Sequence, residues 1–363
     1  LTEPQDMSRN ARLGRYADVA STLALHSDRR LAGLLERAGA LGTGIGGASA
    51  LLDVDGVPVF AKRVPLTDLE REPANVMSTA NLFELPPFCQ YGVGSPGFGS
   101  WRELAAHVMT TNWVLAGHTD AFPLLYHWRV LPGAPPPAEE HADVEAAVRY
   151  WGGAPAVGER LRALAEASAG IVLFQEYVPH NLDAWLAARL ADGPEAAAEA
   201  CAMVEARLTA DVSFMNGHGL THFDGHFGNL LTDGDRLYVA DLGLATSPRF
   251  ELSGEERAFL GRNAGHDLGY ALMRLVNWLV SNVCGVPVAG PPAPRDAFVR
   301  ACAEGDADLS GIPPVAAAII RRHAPVAAAM NGFYWDLFGA DRATPFPREQ
   351  VEHALAPPGT LGR

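Results

Sequence analysis

Apolar positions at Val19, Leu23, Leu31, Leu34 and Leu35 recur near the helical period, which predicts an N-terminal helix over residues 17–38. The pattern then changes. The glycine-rich run Leu41-Gly42-Thr43-Gly44-Ile45-Gly46-Gly47 leads into Ser49-Ala50-Leu51-Leu52-Asp53-Val54, a turn at Asp55-Gly56, and the strand-like run Val57-Pro58-Val59-Phe60-Ala61-Lys62. Residues 67–99 read as irregular and rich in Pro and Gly, with at most one helix, over 73–83. A firmer helix is expected over 101–115, a strand over 122–131, a Pro-rich insertion at 132–137, and a polar helical stretch to about residue 169. Ile171-Val172-Leu173-Phe174 reads as a buried strand. Asn181 to Leu186 opens a short helix, and 195–214 forms an alanine-rich amphipathic helix that Asn216-Gly217-His218-Gly219 ends with C-cap chemistry. Leu230-Leu231 and Leu237-Tyr238-Val239-Ala240 flank Thr232-Asp233-Gly234-Asp235, a tight-turn signature that predicts a hairpin. Beyond Gly243 the chain reads as mostly helical, with Asp267 opening an apolar helix over 268–283.

Composition narrows the class of molecule. The 363 residues, 48% hydrophobic and 19% charged, describe a folded chain long enough for two lobes. A net charge of −14 without any basic stripe argues against a nucleic-acid partner. It would suit a cationic substrate, although a generally acidic composition explains it equally well. Cys89, Cys201, Cys284 and Cys302 are scattered with no C-x-x-C pair, so neither a disulfide frame nor a zinc site is expected, and a reducing cytoplasm is the simplest location. The longest apolar stretch, 270–290, is interrupted by Arg274, Asn277, Ser281 and Asn282 and reads as a core helix, not a membrane span. No secretory signal is evident and no membrane association is expected.

Among 28 basic residues only Lys62 is lysine; the other 27 are arginine. A chain with that bias uses arginine wherever a generic positive charge suffices. A solitary lysine therefore marks a place where a compact ammonium on a slim stem fits and a wide planar fork does not.

The densest chemistry lies in residues 222–243, HFDGHFGNLLTDGDRLYVADLG. His222-x-Asp224 is followed five residues later by Asn229, and a second acid, Asp241, stands in an Asp-Leu-Gly triplet. One carboxylate to hold an attacking hydroxyl, with an amide and a second carboxylate to hold Mg²⁺, is the set that phosphoryl transfer needs. The segment resembles the catalytic and metal-binding region of protein-kinase-like phosphotransferases, and Val59-Phe60-Ala61-Lys62 resembles the strand that carries their phosphate-binding lysine. The resemblance spans roughly residues 41–283. It implies an α+β, bilobal protein-kinase-like fold, with a small β-rich N-lobe crossed by a helix and a mainly helical C-lobe. The chain would divide into an N-terminal helical extension (1–40), an N-lobe (41–178) and a C-lobe (179–363). By the same resemblance ATP and Mg²⁺ are the cofactors. Asp224 would orient the acceptor hydroxyl, His222 would support the loop by bonding backbone near Asp241, and Asn229 and Asp241 would ligate Mg²⁺. Lys62 would hold phosphates under a loop containing Gly42, Gly44, Gly46 and Gly47. Main-chain groups around Glu176 and Val178 would meet the adenine edge. A glutamate on the crossing helix would pair with Lys62: Glu103 is the first choice, with Glu70 and Glu72 as rivals.

The departures from the family pattern bear on the acceptor. Eukaryotic-type protein kinases have Arg between His and Asp, and those that phosphorylate Ser or Thr have Lys two residues after the Asp; here these positions are Phe223 and His226. The spacing H-x-D-x-H-x-x-N resembles the aminoglycoside- and choline-kinase-like branch, which favours a small hydroxyl-bearing acceptor such as an antibiotic, sugar or amino alcohol. A protein or ribosomally made peptide acceptor stays open, because the glycine run is richer than that branch shows. Two further readings compete: a catalytically silent binding module, and a metal-dependent hydrolase using His222, Asp224 and His226 on one face of a strand. Thr246, Ser247 and Ser253 are candidates for autophosphorylation. The sequence does not determine the oligomeric state.

Overall fold

The computed structural model describes residues 5–44, 47–92, 94–288, 294–339 and 341–356. It is a mixed α+β structure with a small antiparallel sheet and a helical C-terminal part. The chain divides into two compact units, Leu1–Pro179 with Tyr238–Glu255, and His180–Leu237 with Glu256–Arg363. The helices expected before residue 40 and the strands after it therefore share one unit, and a later segment returns to it.

The first unit opens with α1 (Arg9–Ala24) and α2 (Asp28–Arg37), not with one helix over 17–38. The break is a matter of capping. The Ser27 hydroxyl accepts from Arg30 N at 3.3 Å and starts a new helix, while Ser8 caps the first. Val19, Leu23 and Leu31 are buried, whereas Leu25, at the junction, is 87% exposed. Strands β1 (Gly39–Gly44), β2 (Gly47–Val54) and β3 (Val57–Leu66) form an antiparallel meander in which Ser49 faces Lys62. Gly42 and Gly44 thus lie within β1, not in a loop, and Gly46 lies outside the described residues. Gly47 opens β2 at φ +119°, where an added Cβ would sit 2.2 Å from the carbonyl oxygen of Arg63, so no other residue fits.

Helix α3 (Asp68–Arg71) is a single turn closed by a reciprocal Thr67–Glu70 capping box. The helix expected over 73–83 is not formed. Turns occupy this segment: Met77 has φ +64°, and the Asn81 side chain accepts from Leu85 N and donates to Leu85 O, replacing helical hydrogen bonds. Helix α4 (Ser100–Leu115) and strand β4 (Leu125–Pro132) follow. The polar stretch before residue 169 is two helices, α5 (Val144–Tyr150) and α6 (Pro155–Ala165), separated at Gly152 and Gly153, both with positive φ. Strand β5 (Ala169–Glu176), buried along its whole length, completes a five-stranded antiparallel sheet of order β1-β2-β3-β5-β4. Trp101 and Leu104 of α4 pack against Leu66, Leu125, Ile171 and Leu173 of that sheet. Full burial of a side chain such as Leu104 stabilises by roughly 1.5–3 kcal/mol, so this contact fixes α4 firmly over the strands.

In the second unit, β6 (His180–Asn181) leads to α7 (Leu182–Ala191), which Asn181 caps, and then to α8 (Pro194–Gly217). Strand β7 (Leu230–Thr232) pairs antiparallel with β6, and the turn after it forms as expected: Asp233 accepts from Asp235 N and Arg236 N. Along β8 (Leu237–Val239) the chain leaves this unit, to re-enter it through α9 (Gly254–Arg262). Helices α10 (His266–Asn282), α11 (Pro294–Glu304), α12 (Pro314–Gly339) and α13 (Arg348–Leu355) follow. Helix α10 packs against both α8 and α12, and a reciprocal amide pair, Asn277 with Asn331, ties α10 to α12 inside the core. No helix among the described residues is long and apolar enough to cross a membrane.

Candidate functional site

In the first unit, three residues distant in sequence meet around one ammonium. Strand β3 delivers Lys62 and the first turn of α4 delivers Glu103. The Lys62 Nζ stands 2.8 Å from Glu103 Oε1 and 2.8 Å from Asp241 Oδ1. Lys62 and Glu103 are buried, whereas the Asp241 side chain remains 41% exposed. The alternatives to Glu103 are spent elsewhere. Glu70 is buried in its capping box with Arg160 at 2.9 Å and Ser100 N at 2.7 Å, and Glu72 is exposed. The glycine of Asp-Leu-Gly has a local reason: a Cβ on Gly243 would crowd Asp241 Oδ1 at 3.3 Å and Glu103 Oε2 at 3.4 Å. Asp241 itself has φ +52°, a conformation uncommon for a residue with a side chain.

The electrostatics follow from one cation against two anions. Burial alone would lower the pKa of Lys62, but Asp241 and Glu103 reverse this and hold it well above the usual lysine range. Burial raises Glu103 above the usual carboxylate range; Lys62 opposes that and Asp241 adds to it. The ammonium is therefore fixed in its charged state, and the part of the cluster that reaches the surface is the Asp241 carboxyl group.

In the second unit, the loop from His222 to Asn229 is held from below by Asp267 at the start of α10. Its Oδ2 accepts from His222 N at 2.7 Å and from Asn216 Nδ2 at 2.8 Å, and its Oδ1 accepts from Phe223 N at 2.9 Å. Burial would raise this carboxyl, yet His266 and the backbone N–H of His222 hold it below the usual range. Phe223 sits at φ +62° with its ring buried against Phe259 and His266. Such strain persists where surrounding contacts impose it. His222 is buried, and its Nδ1 accepts from Asp224 N at 3.2 Å, which places the neutral ring's proton on Nε2. Asn229 donates through Nδ2 to Asp224 O at 2.9 Å and to Asp224 Oδ2 at 3.1 Å, so the atom it has to offer a cation is Oδ1. Asn181 at the start of α7 braces the loop through Gly228 O at 2.8 Å.

The strand geometry that a His222–Asp224–His226 metal site requires does not occur, because Phe223 is left-handed and the His226 Nδ1 accepts from Gly228 N. Among the described residues no group of three or more His, Cys, Asp or Glu is placed to hold a metal ion. Asn229 in the second unit and Asp241 in the first each carry a hard oxygen donor of the kind Mg²⁺ takes. Thr246 and Ser247 are buried and so are not exposed phosphorylation sites, while Ser253 is exposed.

The Glu176 region differs from expectation in how its groups are used. The Glu176 N–H donates to Leu124 O at 2.8 Å, so this main-chain donor is taken within the protein. Its carboxylate is buried against Arg12 at 2.7 Å. Val178, two residues on, is buried. Asp267 and Arg12 are the contributors that sequence reasoning missed. Asp267 read only as a helix start, and Arg12 is one of 27 arginines with nothing local to single it out. No family model and no curated protein matches the chain.

Proposed function

We propose that the chain is an ATP- and Mg²⁺-dependent phosphotransferase of bilobal, protein-kinase-like build that moves the γ-phosphoryl group to a hydroxyl of a small molecule. The observation that carries this is the Lys62–Glu103–Asp241 cluster, in which the only lysine of the chain is held between two carboxylates at the exposed end of a buried ion network. A structural ion pair needs one partner for the ammonium. A second carboxylate, two-fifths exposed and adjacent, suits a site that awaits a cationic ligand.

The residues divide the work. Lys62, oriented by Glu103, binds α- and β-phosphate oxygens; its compact ammonium enters where a guanidinium would clash. Asn229 Oδ1 and Asp241 would hold Mg²⁺, which when bound neutralises charge on the phosphate oxygens. Asp224 orients the acceptor hydroxyl and accepts its proton, and the Asn229 amide, 3.1 Å from its Oδ2, fixes the rotamer. The glycine-rich run that includes β1 and the start of β2 would cover the phosphates, and the carbonyl of Glu176 would meet the base. A small-molecule acceptor is favoured by the spacing of His222, Asp224, His226 and Asn229, and Phe223, buried against Phe259 and His266, supplies no guanidinium to read a phosphorylated activation segment.

The deciding experiment offers ATP and Mg²⁺ with panels of antibiotics, sugars, amino alcohols and peptides, and follows products by mass spectrometry. A gain of one phosphoryl group on a small hydroxyl compound is the expected result. Transfer to peptides alone would move the assignment to a peptide kinase. Failure of the chain to bind ATP·Mg²⁺ would remove it.

A further inference from the structure

The first unit contains another buried ion network, unrelated to phosphate chemistry, around Arg12 of α1. Its side chain is 1% exposed and its hydrogen bonds reach two other parts of the unit, Glu176 and the 120–122 segment. Nε donates to Glu176 Oε1 and Oε2 at 3.0 and 3.1 Å, and NH2 donates to Glu176 Oε2 at 2.7 Å. NH2 also donates to Phe122 O at 2.6 Å and NH1 to Asp120 O at 3.0 Å. The same cation lies 5.2 Å from the centre of the Tyr238 ring, three residues before Asp241. Glu176 is held from its other side by Leu124 N at 3.2 Å and Arg15 at 3.4 Å. Val239 N, between Tyr238 and Asp241, donates to Ala121 O at 2.8 Å, so the 120–124 segment links both ends of the network.

We infer that Arg12 is a positioning residue for nucleotide binding: through Glu176 it fixes the end of β5, so that α1 sets the affinity for the base. This rests on the proposed function, specifically on the base meeting main chain at residues 176–178. The physical basis is pre-organisation. A strand end that emerges from a sheet frays unless it is tied, and ordering it on binding would subtract from affinity. A forked guanidinium that grips a carboxylate and two carbonyls at once does that tying in advance. Burying such a pair has a desolvation cost, and packing alone gives no reason to retain it.

Equilibrium titration with ATP·Mg²⁺ and with adenosine tests the assignment, together with hydrogen exchange over residues 174–179. Arg12→Lys keeps the buried charge but loses the fork, and the pair Arg12→Met with Glu176→Gln removes both charges, so at least one folded variant remains for measurement. Both should weaken ATP and adenosine by a similar factor, about tenfold, a 1.4 kcal/mol effect, and speed exchange at 174–179. Lys62→Arg should weaken ATP and leave adenosine unchanged. Arg15→Met, which loses the 3.4 Å contact to Glu176 and the hydrogen bond to Asp6 O but leaves the Arg12 fork on Glu176 intact, should stay within about twofold of the parent. Folded Arg12 variants that bind both ligands like the parent would overturn the inference while leaving the proposed function standing. A parent protein that binds neither ligand would remove both.

Discussion

Lys62 shows how one side chain can be fixed by charge and by shape at once. Its two carboxylates hold the ammonium protonated at any pH near neutrality, so its contribution is position, not titration. Lys62→Arg should therefore keep the charge and lose the function: a sharp rise in KM for ATP, checked by steady-state kinetics, with a fully active variant contradicting the assignment. Asp224→Asn separates binding from chemistry at the same scale. Nucleotide affinity should be nearly unchanged while turnover falls by orders of magnitude, because the amide no longer accepts the hydroxyl proton. Asp267 makes a pH prediction. Its folded pKa lies below the unfolded value of about 3.9, so its stabilisation is present above that pH and is lost as pH falls through the depressed folded value. Asp267→Asn should cost roughly 2–3 kcal/mol at pH 7, the scale of hydrogen bonds to a charged group, and progressively less in acid. Urea unfolding at a series of pH values checks this; an equal loss at pH 7 and at pH 2.5 would count against it.

At the scale of elements, the helices that bear or brace candidate residues are tied down within their own units by packing and hydrogen bonds. Helix α4 is pinned to the sheet by Trp101 and Leu104, which keeps Glu103 against Lys62 without help from a ligand. Helix α10 supports the 222–229 loop through Asp267 and is itself tied to α12 by the Asn277–Asn331 pair. That pair permits a test of how buried polar groups specify packing. Asn277→Leu leaves the Asn331 amide desolvated and should destabilise by about 1–3 kcal/mol, whereas replacing both with Leu should recover most of the loss. A double-mutant cycle in thermal or denaturant unfolding reads the coupling directly. Additive losses would mean that each amide finds another partner.

For the whole molecule, ligand binding and stability are linked. If the Lys62 cluster binds ATP·Mg²⁺, a concentration one hundred times the Kd should stabilise the folded chain by about 2.7 kcal/mol. The rise in Tm should depend on Mg²⁺, and that dependence should be lost in Asp241→Asn, which removes the exposed carboxylate beside the ammonium. A Tm that rises with ATP equally with and without Mg²⁺ would disconnect Asp241 from metal binding.

Much of the candidate site was legible in the chain because local chemistry encodes it. The single lysine in an arginine-rich composition, the His222–Asp224–Asn229 spacing and the Asp-Leu-Gly triplet could be picked out by residue type and interval alone. Strand and helix periods likewise located β3, β5, α4 and α10. Helix ends were read less well, since Ser27 and the glycine pair 152–153 act through a single cap or dihedral that periodicity averages away. Which glutamate meets Lys62 was settled only by the folded chain, where Glu70 is consumed by Arg160 and its own capping box. The Arg12–Glu176 link, between residues 164 apart, left no trace in the sequence. An ion pair buried by packing depends on where two surfaces close, and a one-dimensional pattern records only what each residue owes to its neighbours along the chain.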